Sequence, residues 1–281
     1  MNHKSSYQFD LIDAATFGYS AVWAERLYLL KLVLVPIIIK FTSMMIILSQ
    51  GFEKDVLTQG LILIPATLTE GWLLAQFLRT LIKQERWPIM LDTEPDQKTL
   101  SALLLRARGI VACCLVYVLL MLFTYTFKYG YELLVANNVI PSGADDTTPP
   151  DIRMMIIAVM GLGFALWSFR LFWIYIPFVV LVKPLEYLKF LGGFGASFKM
   201  LGLFLICMVP TLVLTTILSS LVLAPFQSDD LKPIGTFLII LLGTVAEILV
   251  ALIVTAAMAW SFRDLLPRAQ GALPDIKRET D

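Results

Sequence analysis

Residues 234–262 read IGTFLIILLGTVAEILVALIVTAAMAWSF, a run of twenty-nine with one charged side chain, Glu247, near its centre. A helix needs roughly 20 mainly apolar residues to cross about 30 Å of hydrocarbon, and this run exceeds that. A helix at a soluble surface keeps a polar face; this one is apolar all round. A carboxylate at mid-bilayer depth costs roughly 2.5–3.5 kcal/mol on the most lenient scale, so Glu247 calls for a partner or a function.

Five further stretches qualify as spans when the same test is moved outward along the chain: residues 27–48, 56–82, 110–129, 154–182 and 198–223. The composition agrees. Of 281 residues, 58% are hydrophobic and 16% charged, where soluble proteins carry about 25% charged residues. Lys plus Arg and Asp plus Glu both number 22, which removes the overall basic bias of a nucleic-acid binder. The fold class expected is therefore all-α: a polytopic membrane helical bundle of six transmembrane helices with short interfacial amphipathic helices. Its organisation reads as an amphipathic segment at 1–26, a membrane domain at 27–263 and a tail at 264–281.

The fourth span is the least regular. Arg170 divides it, and Pro177 follows. One long, tilted helix kinked at Pro177 is the simpler account, because the twelve residues after Arg170 are too few to cross alone.

Basic residues set the orientation. With six spans alternating in direction, fifteen Lys and Arg fall on one side and four on the other, leaving Lys31, Lys40 and Arg170 inside spans. The positive-inside rule then places both termini in the cytoplasm. The polar opening from Met1 to Gln8 does not resemble a cleavable leader, so the first span is expected to remain as an anchor. Short connections and small soluble portions suggest a bacterial-type inner membrane. The longest external connection carries Asp145, Asp146 and Asp151, with Glu132 nearby; a solvated loop explains them.

Three intramembrane charges form the candidate site. Glu70, Arg170 and Glu247 lie on the second, fourth and sixth spans, which run in the same direction. Glu70 and Arg170 each precede a terminal lysine (Lys83 and Lys183) by thirteen residues, and Glu247 precedes Arg263 by sixteen, so their depths agree to about one turn. The expected network pairs Arg170 with Glu247, Glu70 or both, as a structural clasp or as a site for ion or solute coupling. At the cytoplasmic rim, Arg106, Arg108, Lys189 and Lys199 are candidate contacts for lipid headgroups. Met1–Arg26, Thr99–Ala107 and Leu185–Phe194 read as interfacial helices.

The usual catalytic signatures are missing. His3 is the sole histidine; Cys113, Cys114 and Cys207 lack metal-ligand spacing; no phosphate loop, nucleophile elbow or metalloprotease motif occurs. No catalytic residue, metal or cofactor is assigned. Membrane lipids are the expected partners, together with a membrane or cytoplasmic protein; nucleic acid is not expected, and the oligomeric state is left open. Two functional readings follow. One is an integral scaffold or accessory subunit with a charge-paired core, and the other is a transporter of an ion, small solute or lipid that uses Glu70, Arg170 and Glu247. Whether the helices enclose a cavity around these charges separates the two.

Overall fold

The computed structural model describes residues 9–87, 97–136, 152–191, 193–226 and 232–266, which include no strand. Helix α1 covers Leu11–Ala24, α2 Arg26–Ser49, α3 Val56–Ile62, α4 Ile64–Lys83 and α5 Gln97–Ala136. They are followed by α6 at Ile152–Phe169, α7 at Tyr175–Val179, α8 at Pro184–Leu191, α9 at Phe194–Leu223 and α10 at Lys232–Ser261. Five helical stretches are long and apolar enough to cross a membrane. Helices α3 and α4, bent by 51° at Leu63, make a sixth if counted as one broken span. The protein is an all-α polytopic membrane bundle.

Both irregular spans owe their breaks to local chemistry. Pro65, in the first turn of α4, has no N–H to continue the ladder from α3, so the chain bends two residues earlier. The kink expected at Pro177 falls earlier, where a short 3₁₀ segment, Arg170–Trp173, separates α6 from α7. Pro177 sits within α7, and its carbonyl accepts hydrogen bonds from the amides of Val180 and Val182 as the chain turns out of the bundle. Leu181 takes up a positive φ of 64° in that turn.

The centre of the bundle is α4. Leu73, Leu74, Ala75, Phe77, Leu78 and Ile82 are almost fully buried, and α5, α2, α10 and α7 pack around them. Lipid is as apolar as leucine, so close van der Waals packing holds such helices together, and small residues permit it. At Gly71, a Cβ would lie 3.0 Å from the Cys114 Cα on α5. At Gly109 on α5, it would lie 2.5 Å from the Val179 carbonyl oxygen, to which Arg79 also donates at 3.2 Å.

Helix α1 is the amphipathic helix read within residues 1–26. Its start is capped by the Asp10 carboxylate, which accepts from the amides of Ile12 and Asp13. Ala14, Gly18 and Ala21 form a small-residue face set against α10, with α9 alongside. A Cβ on Gly18 would lie 2.6 Å from the Ile253 carbonyl oxygen. The Tyr19 hydroxyl donates to the Cys207 carbonyl of α9 at 2.7 Å, while Ile12 and Trp23 remain exposed on the other face. One face of this helix is thus built into the protein core.

The segment at 99–107 is continuous with the third span. Together they form α5, forty residues and about 60 Å long, roughly twice the hydrocarbon thickness. Helix α8 covers only the first part of the segment read as 185–194, whose last residue, Phe194, opens α9: Leu185 and Lys189 are exposed, while Tyr187 is buried against Phe262, its hydroxyl donating to the Arg170 carbonyl. The acidic connection with Asp145, Asp146 and Asp151, and residues 267–281 of the tail, lie outside the described residues.

Candidate functional site

Glu70 and Glu247 share one cation, and where the sequence reading put Arg170 it is Lys40. Its Nζ lies 2.6 Å from Glu70 Oε1 and 2.6 Å from Glu247 Oε2. Three helices supply the triad: α2, α4 and α10. The Lys40 and Glu70 side chains are 13% and 11% exposed, and Glu247 is 58% exposed.

Lysine suits the position. An ammonium is a compact charge with three donors on a flexible stem, so it can serve two carboxylates on different helices. Lys40 lies fourteen residues after Arg26, which puts it about 21 Å along α2 and at the depth of the two glutamates. The sequence contains that arithmetic: in a span drawn from 27 to 48, Lys40 stops eight residues, about 12 Å, short of Leu48, although intramembrane lysines ordinarily reach for the headgroups rather than a buried partner.

Arg170 has other neighbours. Its guanidinium lies over the Trp167 ring, 4.6 Å from the centroid. Desolvated cation–π contact is favourable, so the Arg170 side chain is accommodated by an aromatic surface at the break between α6 and α7.

The triad forms part of the wall of a cavity of about 830 Å³. Such a volume lies in the usual range for small-molecule sites, about 300–1,000 Å³. Most of the lining is apolar or aromatic, with Phe169, Phe172, Trp173 and Phe204 forming a cluster of rings 5.8–6.2 Å apart. Tyr117, Tyr125, Thr67, Thr124 and Thr215 add hydroxyl-bearing residues. Beside the cavity, Tyr117 and Tyr175 meet edge to face at 5.5 Å, and the Tyr175 and Thr255 hydroxyls share a hydrogen bond of 2.7 Å. Both broken spans reach the cavity: the second at its bend, Leu63, and through Ala66 and Thr67 of α4, and the fourth through Phe169, Phe172 and Trp173.

A second ion cluster lies at the basic end of the bundle. Glu85 receives Arg79, with Nη2 at 2.6 Å and Nε at 2.9 Å, and Arg106 Nη1 at 3.4 Å. Arg106 also donates to Gln76 Oε1 at 3.1 Å. Arg86 pairs with Glu25, and the Trp87 amide donates to the Tyr28 hydroxyl. Arg106, read from sequence as a headgroup contact, is thus drawn inward and only 7% exposed. Of the other residues read that way, Arg108 and Lys189 are exposed and Lys199 is partly buried. This cluster ties α1, α2, α4 and α5 together.

Cys113, Cys114 and Cys207 are free thiols within spans. The described residues contain no group of three or more His, Cys, Asp or Glu placed to hold a metal ion. No protein-family model matches the chain, and neither a curated protein nor a solved structure matches it.

Proposed function

We propose that this protein is a multi-pass membrane transporter that binds a small solute in the cavity beside Lys40, Glu70 and Glu247. The observation that carries the reading is the meeting of three features at one depth: a cavity large enough for a ligand, a charged triad in its wall, and two discontinuous spans lining it. Carrier sites near mid-membrane commonly form where helices are interrupted, because the breaks free polar backbone and let neighbouring segments move separately. A charge there is expensive unless paired or used, and Glu247 is both paired and accessible.

Lys40 couples the site to its helices. While it bridges Glu70 and Glu247, it holds α2 against α4 and α10. A solute that competes for either carboxylate loosens one of these links, giving ligand occupancy a route to helix movement. The excess of basic residues around the C-terminal end of α4 and the start of α8 supports a cytoplasmic setting for that end of the bundle.

The scaffold reading draws on the same triad, taken as a static clasp. Accessibility of the cavity distinguishes the two readings whatever the solute is. Gly243 lines the cavity, and a Cβ there meets nothing within 4 Å, so cysteine fits. In a Gly243→Cys variant with Cys113, Cys114 and Cys207 replaced by alanine, a transporter labels with a membrane-impermeant maleimide applied from either side of sealed vesicles. Labelling from neither side, or from one side under every condition, removes the transport reading; the former favours the clasp.

A further inference from the structure

Charge and aromatic lining narrow the class of solute. Among the described residues lining the cavity, Lys40 is the one basic side chain, against Glu70 and Glu247. When all three are ionised, the wall carries one net negative charge. Lys40 already faces two carboxylates at 2.6 Å, whereas 58% of the Glu247 side-chain surface remains accessible. An anion entering this space would have to draw Lys40 from its carboxylates and meet their charge. A cation would meet Glu247 directly.

The rest of the wall suits the remainder of such a molecule. Tyr117, Tyr125, Phe172, Trp173 and Phe204 place aromatic rings around the same space. Aromatic surfaces attract organic ammonium groups within about 6 Å of a ring centroid and bury apolar substituents as well. The wall also carries threonine and tyrosine hydroxyls, but the apolar and aromatic side chains that make up most of it offer an inorganic cation nothing in place of its hydration shell.

We infer that the cavity takes a monovalent organic cation with a bulky apolar body, its positive centre compensated by Glu247 and its body packed on the aromatic wall. This rests on the cavity being a ligand site and adds the charge and shape of its occupant. Lys40 retains Glu70 when the ligand takes Glu247, so binding exchanges one of the two ion pairs and leaves the other.

Two probes of nearly identical shape and opposite charge test the inference: tetraphenylphosphonium and tetraphenylborate. Equilibrium dialysis uses the full chain in lipid nanodiscs, with Gly243→Phe as the variant whose side chain fills the cavity, so that partition into lipid is subtracted. The expected result is saturable phosphonium binding, at least about tenfold tighter than that of the borate, absent in Gly243→Phe and weakened about tenfold in Glu247→Gln. Glu247→Asp restores part of the affinity if charge is the determinant, and gel-filtration profiles identify any variant that fails to assemble. Equal or tighter borate binding that is still lost in Gly243→Phe overturns the choice of a cation and leaves the cavity reading standing. Phosphonium binding unchanged in a folded Glu247→Gln overturns the role of Glu247. Binding of neither probe, or binding of both that is indifferent to Gly243→Phe, overturns the cavity reading together with the inference.

Discussion

Replacing Lys40 with methionine keeps most of the side chain's volume and removes its charge. Two carboxylate oxygens that each lie 2.6 Å from one nitrogen are at most about 5 Å apart, so the variant leaves two carboxylates facing each other. At an effective dielectric constant of about 20, two unit charges at 5 Å repel by roughly 3 kcal/mol. Exposure of Glu247 screens part of this, whereas Glu70 is buried and loses its counter-charge outright. A loss of about 2–3 kcal/mol is expected, some thirty- to 150-fold in the folded ratio. SDS titration in mixed micelles, followed by tryptophan fluorescence, measures it. The double variant Lys40→Met/Glu70→Gln relieves the repulsion and should recover more than half of the loss. A single variant as stable as wild type, or a double variant no more stable than the single, would refute the account of Lys40 as the counter-ion.

Gly18→Leu places a side chain where a Cβ already meets the Ile253 carbonyl at 2.6 Å, and should lower stability by roughly 1–3 kcal/mol in thermal melts. Gly243→Ala, facing open space, should leave the melting temperature within error. Glu85→Gln removes the charge shared by Arg79 and Arg106 and should cost about 1–3 kcal/mol in the same SDS assay. Arg86→Gln breaks a pair whose arginine is 62% exposed, and should cost under about 1 kcal/mol. At the start of α3, the hydroxyl and amide of Thr58 hold the Asp55 carboxyl below its usual range. That cap is fully present above the unfolded-state value and fades as pH falls through the lowered one. Amide exchange over 56–62, corrected for intrinsic rates, should therefore show declining protection on acidification in wild type and no such step in Asp55→Asn.

Hydropathy made the helical class legible because every backbone donor in lipid must be satisfied within its own helix, which leaves long apolar runs as a direct signature. The agreement in depth between Glu70 and Glu247 was equally accessible, since a fixed rise converts residue separation into distance. Choosing their cation was harder. Arg170 is central in its segment by count, but the break after Phe169 and the stacking on Trp167 depend on tertiary packing that residue spacing does not encode. The inward turn of Arg106 has the same origin: Glu85 and Gln76 come to it from α4 and the chain just beyond. The buried face of α1 left a sequence trace in Ala14, Gly18 and Ala21, but small residues alone do not name the helix they approach.

The pinched carbonyl of Val179 bears on how the molecule can move. Held between Gly109 and Arg79, it rivets α7 to α4 and α5, so these three elements must travel as one block. On the opposite flank, α1 is wedged against α10 and hydrogen-bonded to α9, which makes a second block. Helix α2 touches both blocks, and its lysine is the tie bar between them. Rocking of one block against the other would then slide α10 over α4 and strain both Lys40 ion pairs together.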